Sequence, residues 1–161
     1  MELITKELTI RTYKGILISL IDPQPDDIFI EDIAHGLAYQ YRYGGHCFSL
    51  ITVAEHSLRV YNRCKSLSAL MHDASEAYLG DLKSPIKALC PDYSEIEHRF
   101  MRVIADKFGI AWPIPFAIKQ ADQAEFDWEQ ENIMIEKEGM HMAMKPLYAK
   151  ERFLKTFETI Y

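Results

Sequence analysis

His56, the adjacent pair His72-Asp73 and Asp122 are the residues of this chain whose types and spacing could do chemistry together. His72 and Asp73 adjoin Leu70 and Met71 inside a core-forming stretch, His56 follows Val53 and Ala54, and Asp122 follows Lys119-Gln120-Ala121. A carboxylate is costly to bury alone, so several near one core imply a compensating cation. Two imidazoles and two carboxylates suit a divalent ion such as Mn2+, Co2+, Fe2+, Zn2+ or Mg2+. Such an ion, keeping one or two open positions, holds a water and a phosphoryl oxygen together and acts as a Lewis acid at phosphorus.

The surrounding residues extend the pattern. On a helix Glu76 lies one turn beyond His72 and Asp73, where a carboxylate approaches water at a metal without being a ligand. Asp81 follows Gly80 in a segment that also reads as ordinary turn chemistry. Lys83, Lys119 and Arg42 are the nearest bases for an anion, which this chain must meet locally, since 24 acids against 18 bases give a net charge of -6. Gly44 and Gly45 let backbone approach a base or sugar closely, and His46 beside them is a candidate for the same substrate pocket. His35, His98 and His141 read as packing or surface residues, and Trp112 and Trp128 as core or interface. The run Glu125, Asp127, Glu129, Glu131 reads as a solvated helix face, with Glu125, one turn after Asp122, as a possible pocket residue.

The elements that must position these groups are mostly helical. Apolar residues recur three or four apart, as at Ile51, Ala54, Leu58 and Tyr61, or Ile96, Phe100, Ile104 and Phe108. The periodicity predicts helices near 28–40, 50–64, 67–79, 92–108, 114–134 and 147–159. Asp26 is expected to cap the first, and Gly80 and Gly109 to end the third and fourth. The β-branched segments Leu8–Tyr13 and Ile16–Leu20, joined by Lys14-Gly15, predict a small hairpin. The expected organisation is a single domain over 1–161: a hairpin extension (1–22), a helical catalytic core (28–135) and a C-terminal helix (136–161).

A composition of 48% hydrophobic and 26% charged residues excludes a disordered tail, and the acidic balance argues against coating a nucleic acid polymer. Cys47, Cys64 and Cys90 form no paired frame, which fits reduced thiols. Residues 1–7 lack the basic and apolar regions of a secretory signal, and the apolar runs are too short to span a membrane. A cytoplasmic protein is expected.

The order His…His-Asp…Asp resembles that of the HD-domain phosphohydrolases, over roughly residues 30–135. The string from Met71 to Pro85, with Glu76 and Asp81 at their places, is similar to a narrower branch of bacterial 5′-deoxynucleotidases, prophage-borne phosphohydrolases and phage deoxyadenosine-triphosphate triphosphohydrolases. The resemblance implies an all-α HD-domain bundle, with His56, His72, Asp73 and Asp122 as metal ligands, Glu76 as catalytic acid/base and Asp81 as its helper. It implies that Arg42 and Tyr43 bind substrate, as an arginine followed by a large aromatic does in that branch. Guanosine-tetraphosphate hydrolases of the fold carry HD-x-x-ED, whereas here Ala77 follows Glu76. The Gly-Tyr-Pro signature of the cyclic-dinucleotide phosphodiesterases is absent. What the resemblance implies is hydrolysis of a small-molecule (deoxy)nucleotide by a homo-oligomer, as a 5′-nucleotidase or a triphosphohydrolase, dATP included. The alternative is a non-catalytic, metal-dependent nucleotide-binding module.

Overall fold

A computed structural model of the chain describes residues 8–136, 138–139 and 141–161. Strands β1 (Thr9–Arg11) and β2 (Leu17–Ser19) pair antiparallel, with Ile10 opposite Ile18. The hairpin lays Ile18, which is fully buried, against the helices. A 3-10 turn at Pro25–Asp27 follows, and α1 (Ile30–Ala38) opens after Phe29. Asp26 therefore sits in the turn instead of capping the helix, whose N-terminus carries no side-chain cap.

Helix α2 (Val53–Cys64) is capped by Thr52, whose hydroxyl accepts from the Glu55 amide at 3.0 Å. Short helices α3 (Leu67–Leu70), α4 (Glu76–Leu79) and α5 (Ser84–Lys87) lead to the long α6 (Pro91–Phe108). Gly109 ends α6 in the left-handed conformation at φ 66°, as the sequence predicts. Helices α7 (Phe116–Asn132) and α8 (Pro146–Ile160) complete the order. The fold is mostly helical with one small N-terminal hairpin, and among the described residues no helix is long and apolar enough to cross a membrane.

Helices α1 and α2 pack on each other and on α8; α2 also packs on α3 and α7. The main core gathers Ile33 and Leu37 from α1, Ala54 and Leu58 from α2, Leu70 and Met71, Phe100 and Ile104 from α6, and Phe153 from α8. These side chains are almost wholly removed from water, which at roughly 25 cal/mol per Å² is the main force holding the bundle. A satellite cluster of Val60, Ala69, Ile118 and Ala121 locks α7 against α2 and α3.

The expected single helix over 67–79 is broken. Between α3 and α4, residues 71–75 form a turn in which the Ala74 amide bonds to Met71 and the Glu76 amide to Asp73, three residues back. On a regular helix adjacent side chains diverge by about 100°, so His72 and Asp73 would not face one point. In this turn His72 Nε2 and Asp73 Oδ2 come within 3.1 Å of each other.

Candidate metal centre

His56 enters from the middle of α2, His72 and Asp73 from the 71–75 turn, and Asp122 from α7. His56 Nε2 lies 3.0 Å from Asp122 Oδ1 and 3.7 Å from Asp73 Oδ2. His72 Nε2 lies 3.1 Å from Asp73 Oδ2 and 3.7 Å from Asp122 Oδ1. Both imidazoles are buried, and the group His56, His72 and Asp73 could hold a metal ion, with Asp122 beside it.

The outer hydrogen bonds fix which ring nitrogens face inward. His72 Nδ1–H donates to the Ala69 carbonyl at 2.8 Å, and His56 Nδ1–H donates to Glu129 Oε1 at 2.7 Å. A neutral ring then turns its Nε2 lone pair toward the Asp73 and Asp122 oxygens, so that a cation, either a proton on that nitrogen or a metal ion, must sit between them. Lone pair facing carboxylate is repulsive unless a cation lies between them. His72 Nε2 is buried and, despite its closeness to Asp73, finds no aligned hydrogen-bond partner. The donor set fits a divalent ion.

Electrostatics point the same way. Burial disfavours charge on His72, yet Asp73 and Asp122 carry its pKa well above the ordinary value. Burial would raise Asp73, but the two imidazoles bring it down to about 2. Asp122 is likewise held low by its bonds to His56 and His72, against the effect of burial. The pull these carboxylates exert on a proton is the pull they exert on a metal cation.

A cavity of about 630 Å³ opens beside the cluster, lined by Asp73 and Asp122 together with Glu76, Asp81, Arg42, Tyr43, Lys83 and Lys87. Glu76 opens α4; its Oε2 is buried without a partner, and burial, followed by the charges of Asp73 and Asp81, pushes its pKa well up. Burial, with the Asp73 charge, also raises Asp81. Gln40 holds both in place, donating to the Glu76 carbonyl at 2.8 Å and accepting from the Asp81 amide at 3.0 Å. Lys83 stands over Gly44: a Cβ at Gly44 would meet the Lys83 ammonium at 3.5 Å.

Other expected site residues lie elsewhere. His46 is exposed next to Gly44 and does not line the cavity, and Lys119 lines a second cavity of about 400 Å³ that shares Asp73 and Asp122 with the first. His98 and Trp112 also line that second cavity, edge to face at 5.9 Å. Lys87, which the sequence reading passed over, lines both cavities and is anchored by Glu97 at 2.6 Å.

The acidic run on α7 divides, with Asp127 and Glu131 exposed as expected but Glu125 and Glu129 buried. Glu129 is fully buried, and Glu125 is nearly so and pairs with Arg59 at 2.6 Å and Arg63 at 2.5 Å, away from the cavity. Besides His56, Glu129 accepts from Arg42 Nε at 2.9 Å and from the Tyr43 hydroxyl. Burial alone would raise its pKa, but these partners hold it below the usual range. Its place seven residues after Asp122, two helical turns along the same face, is the signal that marks it.

No known family model matches the chain. It is 39% identical over 127 residues to an uncharacterized protein of Rhodobacter capsulatus, covering 71% of this chain and 65% of that one. The chain thus spans 65% of the length of that relative. It is 31% identical over 147 residues to the uncharacterized protein YfdR of Escherichia coli, covering 89% of this chain and 83% of that protein. The chain belongs to the YfdR family.

Proposed function

We propose that this member of the YfdR family is an HD-domain phosphohydrolase that hydrolyses nucleotide phosphates with a divalent metal. The observation that carries this reading is the convergence of two Nε2 atoms and two carboxylates, one of those nitrogens buried and unpartnered, at the edge of a cavity holding two further acids and three bases. A divalent ion on His56, His72, Asp73 and Asp122 supplies Lewis acidity toward a phosphoryl oxygen and acidifies water.

The chain's own residues do the rest. Glu76, whose pKa is raised by burial and by the charges of Asp73 and Asp81, would ionise once a divalent ion offset those charges, and as a carboxylate it takes a proton from the attacking water and returns it to the leaving group. Asp81, on the same wall, orients that water or the substrate. Arg42, kept charged by Glu129 and Asp73 despite burial, meets the phosphate together with Lys83 and Lys87, and Lys119 offers a further cation from the second cavity. A volume of about 630 Å³ accommodates a nucleoside and its phosphates.

The test is a panel of deoxy- and ribonucleoside mono-, di- and triphosphates with Mn2+, Co2+ and Mg2+, products being separated by chromatography. Metal-dependent release of phosphate from monophosphates, or of tripolyphosphate from triphosphates, is the expected result. Full metal loading with no product from any member of the panel would contradict an enzyme and leave a binding module.

A further inference from the structure

Glu129 stands between two parts of the site. One oxygen accepts from His56 Nδ1; the other accepts from Arg42 Nε and the Tyr43 hydroxyl. The carboxyl group is wholly buried. Arg42 has a second carboxylate in reach: its Nη1 is 3.9 Å from Asp73 Oδ2, the oxygen that also faces both imidazoles. A guanidinium forked onto that oxygen would occupy it against a metal ion. The 2.9 Å bond to Glu129 holds the fork back.

We propose that Glu129 is a positioning residue that keeps Arg42 off the metal-ligand carboxylate Asp73 while locking His56 in its ligating tautomer, so that the substrate-side cation and the metal cation share one cavity without competing for one oxygen. The inference rests on the metal reading of the site. A carboxylate is suited to this role because both of its oxygens accept. An amide accepts on one side only, and its NH2 would face either the His56 Nδ1–H or the Arg42 Nε–H, donor against donor.

The test is a Co2+ titration of the metal-free protein, followed by visible absorption and calorimetry, with folding checked by near-ultraviolet circular dichroism. Glu129→Gln should weaken Co2+ binding by about 10–100-fold, the range for losing the outer partner of a ligating histidine. Adding Arg42→Ala to Glu129→Gln should recover several-fold of that loss, because the competing guanidinium is gone. Arg42→Ala alone, which does not depend on the folding of Glu129→Gln, should bind Co2+ at least as tightly as the wild type. A merely structural role for Glu129 predicts no recovery in the double variant. Equal Co2+ affinity in Glu129→Gln, no recovery in the double variant, or weaker binding in Arg42→Ala would each overturn the proposal while leaving the metal site standing. A wild type that binds no Co2+ would overturn the metal reading and this inference together.

Discussion

Glu76 is where burial and chemistry separate most cleanly. Its raised pKa means the folded chain binds that proton more tightly than the unfolded chain does. Stability from this group is therefore complete below the unfolded pKa and is lost as pH rises through the higher folded value. In metal-free protein at neutral pH, Glu76→Gln should raise the melting temperature, read by calorimetry, and the gain should shrink as the pH is lowered. With metal restored, the same variant should keep metal and nucleotide affinity but lose about 10²–10⁴-fold in turnover, the usual contribution of a general base. Near-wild-type turnover would remove Glu76 from the mechanism and leave Asp81 as the acid available.

At the scale of elements, the positioning of Glu76 depends on how closely α4 can lie against α1. Gly36 sets that distance: a Cβ there would come within 2.5 Å of the Ala77 carbonyl oxygen, backbone that cannot swing aside. Gly36→Ala should destabilise by about 1–3 kcal/mol, the usual cost of overpacking, and should lower kcat with metal affinity little changed. Urea unfolding and steady-state kinetics on one preparation check both; an unchanged midpoint would mean α4 shifts freely. Helices α2, α6 and α8 were legible in the sequence because each buries one apolar stripe with a 3.6-residue period, whereas α7 was set off by Pro113 and Pro115 and buries Glu125 and Glu129 beside Ile118 and Ala121. The break at 71–75 was not legible, since Leu70, Met71 and Ala74 continue the apolar spacing through it. The departure from the α pattern shows only in the backbone, where Ala74 and Glu76 bond three residues back. Glu129 was hidden too, because alternating acids on a helix are usually solvated, and only the partners Arg42, Tyr43 and His56 make this one buriable.

For the whole molecule, the centre ties together segments that are far apart in sequence, with α2, the 71–75 turn and α7 each contributing a side chain. An ion that binds only the folded arrangement adds stability by mass action, about 2.7 kcal/mol at a hundred times its Kd. Chelation should therefore lower the melting temperature, and restoring Mn2+ or Co2+ should return it; a melting curve indifferent to chelator would speak against a metal at the junction. The net charge of -6 makes the local bases matter more for an anionic substrate, so Lys83→Ala should raise KM with little change in melting temperature, whereas Arg42→Ala should raise KM and also lower the melting temperature, because it takes a partner from the buried Glu129. The most direct test of the central claim is the metal content per chain, by elemental analysis, of the wild type and of His56→Ala, His72→Ala, Asp73→Ala and Asp122→Ala. The account predicts a stoichiometric ion in the wild type and a large loss in every variant. Full occupancy in all of the variants, or none in the wild type, would contradict it.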